Sequence, residues 1–359
     1  MKSYNEILSD VTKTATKIPQ SDYLDTGKYR IFDQGKEYSV GFSNDEQGVV
    51  SDYPYIIFGD HTRVVKYVNE PCFIGAEGVK LLKVINKDFN PRFVYYNILA
   101  KPIENQGYAR HFKFLKEIQF TEKTLSVQTN IVTELDTIQS AIDNKKQQLS
   151  LLDEAVKSRF IEMFGDILAG KYKFETRKLG EISEVGSSHR VFTTEFVEHG
   201  IPFYRGTEIG ELANGKIPQK PYYISEEHYQ RLIAQDSKPQ IGDLLMPSIC
   251  NKGQVWMVDT EEPFYYKDGR VLSISPNREI YNSKYLQYFM REKTLVEYPK
   301  LGSGSTFAEF KIFLLKDIDI LTPPLSLQND FASFVQQIDK SKFEIANSLK
   351  RLYNKWMLS

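Results

Sequence analysis

Cysteine is scarce in this chain. Cys72 and Cys250 are the only two in 359 residues, they stand 178 positions apart, and neither has a spaced partner. A disulfide framework and a cysteine-based zinc ribbon are thereby excluded, and both thiols read as ordinary buried side chains of a reducing compartment. Long apolar runs are missing as well, since no stretch of about 18 or more apolar residues offers a membrane-spanning helix. The opening Met1-Lys2-Ser3-Tyr4-Asn5-Glu6 has no apolar segment behind its lysine, so no secretory signal is expected and the chain is assigned to the cytoplasm. Neither charge sign dominates: 46 Lys and Arg face 47 Asp and Glu, for a formal net charge of −1. A protein that grips nucleic acid unaided carries a positive excess. Contact with DNA would therefore need cations patterned onto one face, or a partner that supplies much of the phosphate contact. Catalytic signatures are absent too. There is no G-x-x-x-x-G-K-[ST] phosphate loop, no dinucleotide fingerprint, and no H-E-x-x-H among the five histidines His61, His111, His189, His199 and His228. No metal site and no catalytic residue are expected, and the chain argues for binding and positioning rather than for bond-making.

What is present is a duplication. Leu115-Lys116-Glu117-Ile118 recurs as Leu315-Lys316-Asp317-Ile318, and Leu125-Ser126-Val127-Gln128 as Leu325-Ser326-Leu327-Gln328, both at an offset of 200. Glu70-Pro71-Cys72-Phe73 is echoed by Glu262-Pro263-Phe264-Tyr265, each followed by an acid-glycine turn, Glu77-Gly78 and Asp268-Gly269. Gly27-Lys28-Tyr29-Arg30 corresponds loosely to Gly200-Ile201-Pro202-Phe203-Tyr204-Arg205. Behind each junction runs a helical seam with apolar positions alternately four and three apart, the spacing of a coiled coil. The first comprises Ile131, Leu135, Ile138, Ile142, Lys145, Leu149, Leu152, Val156, Arg159 and Met163; the second comprises Phe331, Val335, Ile338, Lys342, Ile345, Leu349, Leu352 and Trp356. Lys145, Arg159 and Lys342 interrupt the seams. Either their stems pack while their charges reach water, or a buried polar group pins the register. Ser326 is the expected N-cap of the second helix. Neither helix can bury its stripe alone, so each is expected to pair with the other copy. The globular parts, rich in Tyr (22) and Phe (23), read as β-rich with short helices. The fold expected is α+β: two globular domains joined by two long helices that form an antiparallel coiled coil, a pseudo-twofold tandem repeat.

Several turns combine small, basic and hydroxyl or aromatic residues: 59–63, 106–111, 187–190, 251–254 and 302–306. Small residues let the backbone approach a ligand, hydroxyl and amide groups donate to phosphates, and Arg or Lys takes guanine edges. Each turn alone also reads as a solvated loop. Their position adds weight, because the 106 and 302 loops precede the same repeated Leu-Lys-acid-Ile element with different side chains. Candidate DNA contacts are Arg63, Tyr108, Arg110, Arg190, Tyr204, Arg205, Lys252, Ser303, Ser305 and Thr306.

The layout resembles the specificity subunit of type I restriction-modification systems over essentially the whole chain. The resemblance rests on the two Leu-Lys-Glu/Asp-Ile…Leu-Ser-x-Gln junctions leading into heptad helices, the Gly-Asp turns at 59–60 and 242–243, and the Glu-Pro…acid-Gly strands. It implies target recognition domains at 1–120 and 171–323, a central spacer helix at 121–164 and a C-terminal spacer helix at 324–359. It also implies that the chain binds double-stranded DNA and docks two methyltransferase subunits and the restriction (helicase-nuclease) subunits. The chain itself would hold no cofactor: S-adenosylmethionine would belong to the methyltransferase, ATP and Mg to the restriction subunit. The N-terminal stretch Asn5 to Val11 differs from its counterpart Lys178 to Val185, so the two domains are expected to read different half-sites of an asymmetric target. The rival readings are a coiled-coil scaffold with two protein-binding domains, and a DNA-modifying enzyme acting alone.

Overall fold

The computed structural model describes residues 1–358 except Ala76, Tyr108, Asp236, Ser237 and 302–307, and leaves out the side chains of Met357 and Leu358. It divides into two compact units. Unit 1 is Met1–Lys146 together with Asn347–Ser359, and unit 2 is Gln147–Ala346. The division cuts both long helices, so each unit holds one globular fold and a piece of each helix.

Unit 1 begins with α1 (Tyr4–Ile7), which runs directly into β1 (Leu8–Asp10). There follow β2 (Tyr29–Phe32), β3 (Gly41–Ser43), β4 (Tyr55–Gly59), β5 (Val65–Val68), β6 (Cys72–Ile74), β7 (Val79–Val84), α2 (Pro91–Leu99), α3 (Phe112–Leu115) and the long α4 (Leu125–Phe164). An antiparallel sheet has the order β1-β7-β4-β5, and a smaller one has the order β3-β2-β6 with β2 and β6 parallel. All five residues of β4 are buried. Because successive side chains point to opposite faces, Ile56 and Phe58 enter one core with α1, α2 and the start of α4, while Tyr55 and Ile57 enter another with Phe32, Cys72 and Leu81.

Unit 2 repeats the plan with additions. Its elements are β8 (Gly165–Asp166), β9 (Lys171–Tyr172), β10 (Thr176–Lys178), α5 (Leu179–Ile182), β11 (Ser183–Gly186), β12 (Phe196–Val197), β13 (Ile201–Tyr204), α6 (Gly206–Leu212), β14 (Tyr222–Ile224), α7 (Glu226–Ile233), β15 (Leu244–Pro247) and β16 (Trp256–Met257). Then come β17 (Tyr265–Tyr266), β18 (Val271–Pro276), α8 (Ser283–Glu297), α9 (Ile312–Lys316), β19 (Asp319–Leu321) and α10 (Leu325–Leu358). The sheet order β11-β18-β15-β16 matches β1-β7-β4-β5, and the parallel pair β13-β17 matches β2-β6. Again the central strand feeds two cores, Leu244 and Met246 on one side and Leu245 on the other. The helices α6 and α7 have no counterpart among the described residues of unit 1. Conversely, α1-β1 and α5-β11 are the same element, a four-residue helix entering an edge strand, where the sequences had diverged. The two Gly-Asp turns are not equivalent, since Asp60 follows β4 whereas Asp243 precedes β15.

Each Leu-Ser-x-Gln motif proves to be a clamp. Gln128 and Gln328 are fully buried. The Gln128 side-chain oxygen accepts from the Asn90 N–H at 2.7 Å, and its amide donates to the carbonyls of Asp88 (2.7 Å) and Lys123 (2.8 Å). Gln328 does the same with Asn282 N–H (2.9 Å), Ile280 O (3.0 Å) and Pro323 O (2.9 Å). Asn90 and Asn282 in turn cap α2 and α8. A cation two residues after each cap ties the same helix to the long one: Arg92 meets Asp136 at 2.8 Å, and Lys284 meets Asp339 at 2.8 Å. Ser326 lies inside the first turn of α10 rather than capping it; the backbone N–H groups of Leu327 and Gln328 bond to Pro324.

Within each unit the long helices run antiparallel. In unit 1, Lys355 pairs with Glu134 at 3.1 Å and Lys146 lies over Tyr353; in unit 2, Lys342 pairs with Asp153, and Phe331 packs on Phe160. Of the expected seam, Leu135, Ile138, Ile142, Val156, Phe331 and Val335 are buried. Ile131, Leu149, Leu152, Ile338, Ile345, Leu349, Leu352 and Trp356 are half-buried, and so are Lys145 and Lys342. Arg159 is a correction: it is exposed and pairs with Glu162, while its neighbour Phe160 is 2% exposed. Here α4 steps from Val156 to Phe160 to Phe164, the wider spacing of a globular core, because it packs on α8 as well as α10. No helix among the described residues is long and apolar enough to cross a membrane. Burial pushes the Cys72 thiol up to about 12 and Cys250 up to about 11, as befits inert core sulfurs.

Candidate nucleic-acid interface

In each unit three turns meet at one end of the central sheet. In unit 1 they are the β4–β5 turn, the β6–β7 turn and the segment ending at His111. The Asp60 N–H bonds to Gly78 O at 2.7 Å, and the His111 N–H bonds to Asp60 O at 2.8 Å. Unit 2 has the same knot, with Ser248 N–H to Arg270 O at 2.9 Å and Phe310 N–H to Ser248 O at 2.7 Å. The acid-glycine turns need their glycines, because Gly78 and Gly269 sit at φ +85° and +60°. The frame is duplicated; the side chains it carries are not.

In unit 1 the knot is made rigid by two buried groups. Asp60, 4% exposed, accepts the Phe112 N–H at 2.8 Å through its carboxylate. His111, fully buried, faces Asp60 O with Nδ1 (3.0 Å) and the Gln106 N–H with Nε2 (3.2 Å), which fixes the orientation of the ring. On this frame Arg63 adopts φ +62°, and among the described residues it is the one non-glycine residue with positive φ. That conformation costs roughly 1–2 kcal/mol. Its Nη1 donates to Ile103 O at 3.2 Å, and its Nε is enclosed without a partner. Arg110 is exposed on the same rim. Tyr108 lies outside the described residues.

Unit 2 handles charge differently. Arg190 is exposed and meets Asp268 of the β17–β18 turn at 3.1 Å. Ser187 and Ser188 anchor that loop through bonds to Val271 O (2.7 Å) and Tyr266 O (2.5 Å). Arg270, on the same turn, meets Glu309 at 2.6 Å, and Lys311 also pairs with Glu309. Lys311, and behind it Arg270, holds the Glu309 carboxyl below the usual range against the opposing effect of burial. Lys252 is exposed, its backbone N–H bonded to Gln254 at 2.9 Å. Tyr204 is half-buried and stacks on Phe264, with ring centroids 5.4 Å apart. The Arg205 guanidinium lies over Tyr222 and bonds to the buried Glu208 at 2.5 Å, which caps α6. Burial pushes Glu208 up, but Arg205 holds its carboxyl below the usual range. Ser303, Ser305 and Thr306 lie outside the described residues.

The structure thus gathers Arg63 and Arg110 on one rim, and Arg190 beside the knot of the other unit, while Tyr204 and Arg205 are engaged in packing and ion pairing. It adds Arg270 and Lys311, which the sequence reading passed over. Arg270 directly follows the repeated acid-glycine turn, and Lys311 stands four residues before the repeated Leu-Lys-acid-Ile element; those two markers would have found them.

The model of the type I restriction modification DNA specificity domain matches residues 171–352, just over half of the chain. The specificity subunit of the type I restriction enzyme EcoR124I/EcoR124II of Escherichia coli is 26% identical over 243 residues, 61% of this chain and 58% of that relative. The match therefore spans less than two thirds of the relative's length. Among solved structures, the S subunit of a type I restriction-modification system from M. genitalium superposes with a TM-score of 0.61 at 13% identity, covering 99% of this chain and 94% of that one. That likeness is one of fold.

Proposed function

Since the chain belongs to the type I restriction modification DNA specificity domain family, we propose that it is the sequence-reading subunit of such a complex. Each unit reads one half of a bipartite, asymmetric DNA target through its knotted turns. The paired helices set the unread gap and dock two methyltransferase subunits, with the restriction subunits joining the same assembly. S-adenosylmethionine belongs to the methyltransferase subunits and ATP with Mg to the restriction subunits, while this chain performs no bond-making itself.

The observation that carries the reading is the duplicated three-turn knot with different cations on each copy. A common frame with divergent tips is what two modules reading two different sequences require. In unit 1 the contacts are Arg63 and Arg110, and Tyr108, outside the described residues, is proposed from the sequence alone. In unit 2 they are Arg190, Lys252, Arg270 and Lys311, with Ser303, Ser305 and Thr306 in the adjoining loop. Arg63 is the first choice for a base contact, because a strained backbone held by a rigid frame is a common mark of a functional residue.

The test is selection of duplexes from a randomised pool by the chain reconstituted with its methyltransferase subunits. Two short half-sites at a fixed gap are expected. Replacing Arg63 with Gln should relax one base position of one half-site at a cost of about 1–3 kcal/mol. A pool enriched for no sequence would overturn the proposal.

A further inference from the structure

The two tips differ in how their cations are neutralised. Among the described residues, Arg63 and Arg110 of unit 1 form no salt bridge; Arg110 only adds a longer-range pull on the Glu77 carboxyl, which Lys17 pairs directly. In unit 2, one carboxylate serves two cations: Glu309 is paired with Arg270 and Lys311, and Ser248 Oγ lies 3.4 Å from the same carboxylate oxygen that meets Arg270. The cations are open, with side chains 57% and 56% exposed, while Glu309 is 19% exposed and seated behind them. The seat is built by the knot itself, since Ser248 is 1% exposed and bonds by its backbone to both Arg270 and Phe310. A carboxylate held between a guanidinium, an ammonium and a hydroxyl occupies the place a DNA phosphate would take on the same donors.

The geometry points to Glu309 as an internal stand-in for phosphate, a residue that sets specificity by competing with the DNA backbone for Arg270 and Lys311. This rests on the sequence-reading role proposed above. With Glu309 in place the three groups carry a net charge of +1, so a random duplex gains little by docking there. A cognate duplex, whose base contacts hold it at the tip, displaces the carboxylate and takes over both cations. Discrimination rises because the sequence-independent part of binding is suppressed.

The experiment measures equilibrium binding of the reconstituted complex to a scrambled duplex and to the selected duplex across a salt series. Glu309→Gln should bind the scrambled duplex about five-fold more tightly at physiological salt, the effect of roughly one added phosphate contact, with a salt slope steeper by about one. The ratio between selected and scrambled duplex should fall, and Glu309→Asp should keep it. Unchanged or weaker binding of the scrambled duplex by Glu309→Gln would overturn the inference. If that variant does not fold, Lys311→Gln and Lys252→Gln decide instead. Lys311 shares the Glu309 carboxylate with Arg270, so its loss should weaken scrambled-duplex binding less than the loss of Lys252; an equal or larger loss at Lys311 contradicts the competition. If the wild-type complex does not discriminate between the duplexes, the sequence-reading role fails and the inference with it. If it does discriminate and Glu309→Gln behaves like it, the inference alone fails.

Discussion

Gln128 and Gln328 show how one residue can join three pieces of chain. Each is an uncharged amide with no route to water, and each satisfies a helix N-cap residue and two carbonyls. Replacing Gln328 with Leu keeps the volume but leaves the Asn282 N–H and the Ile280 and Pro323 carbonyls unpaired. The expected cost is roughly 1–3 kcal/mol for each group that water cannot reach, measured by denaturant unfolding of the full chain. An unchanged midpoint would mean that apolar packing alone holds α8 to α10. The repeat of Leu-Ser-x-Gln was plain in the sequence; its purpose was not, because two of the three partners of Gln128 are 38 and 40 residues away and all three are backbone groups. The same holds for Asp60 and His111, whose value lies in backbone partners that no motif encodes.

At the scale of the element, the long helices were legible from their 4-3 spacing, and their antiparallel sense follows from the ion pairs and aromatic contacts inside each unit. The spacing misled at one place. A strict heptad puts Arg159 in the seam, but α4 there serves a globular core, and Phe160 joins Tyr285, Tyr288, Phe289 and Phe331. Phe160→Ala is expected to cost about 3–5 kcal/mol. Arg159→Ala, which removes an ion pair with the exposed Glu162, should stay within about 0.5 kcal/mol. Thermal unfolding of the two variants side by side reads the difference; equal losses would restore Arg159 to the seam. Lys342 answers a second of the three interruptions, since its half-buried ammonium reaches Asp153 on the facing helix. The short strands were less legible than the helices. Strands of two to four residues such as β12 or β17 are defined by their neighbours in the sheet, and the parallel pairs β2-β6 and β13-β17 join segments some 40 to 60 residues apart.

For the whole molecule, the duplication read from short motifs extends to the central topology: the order of the four-stranded sheet, the parallel pair, the helix clamp and the three-turn knot all recur. The N-terminal divergence that suggested two unlike halves is a divergence of residues on a shared α1-β1 and α5-β11 element. The larger structural difference is the insertion of α6 and α7 in unit 2. The near-neutral net charge, surprising for a chain proposed to read DNA, has a local counterpart in unit 2, where Glu309, Asp268 and Glu208 each neutralise a cation. Which bases the tips read was never legible, because loop side chains do not map singly onto bases and the frame that aims them is built from residues distant in sequence.

The central claim is that this chain chooses where a partner methyltransferase acts, and it is tested most directly by mapping adenine methylation across the host genome with and without the gene. The account predicts that one gapped, two-part, asymmetric adenine motif is fully methylated in its presence and loses that methylation on deletion. An unchanged methylation pattern would contradict it.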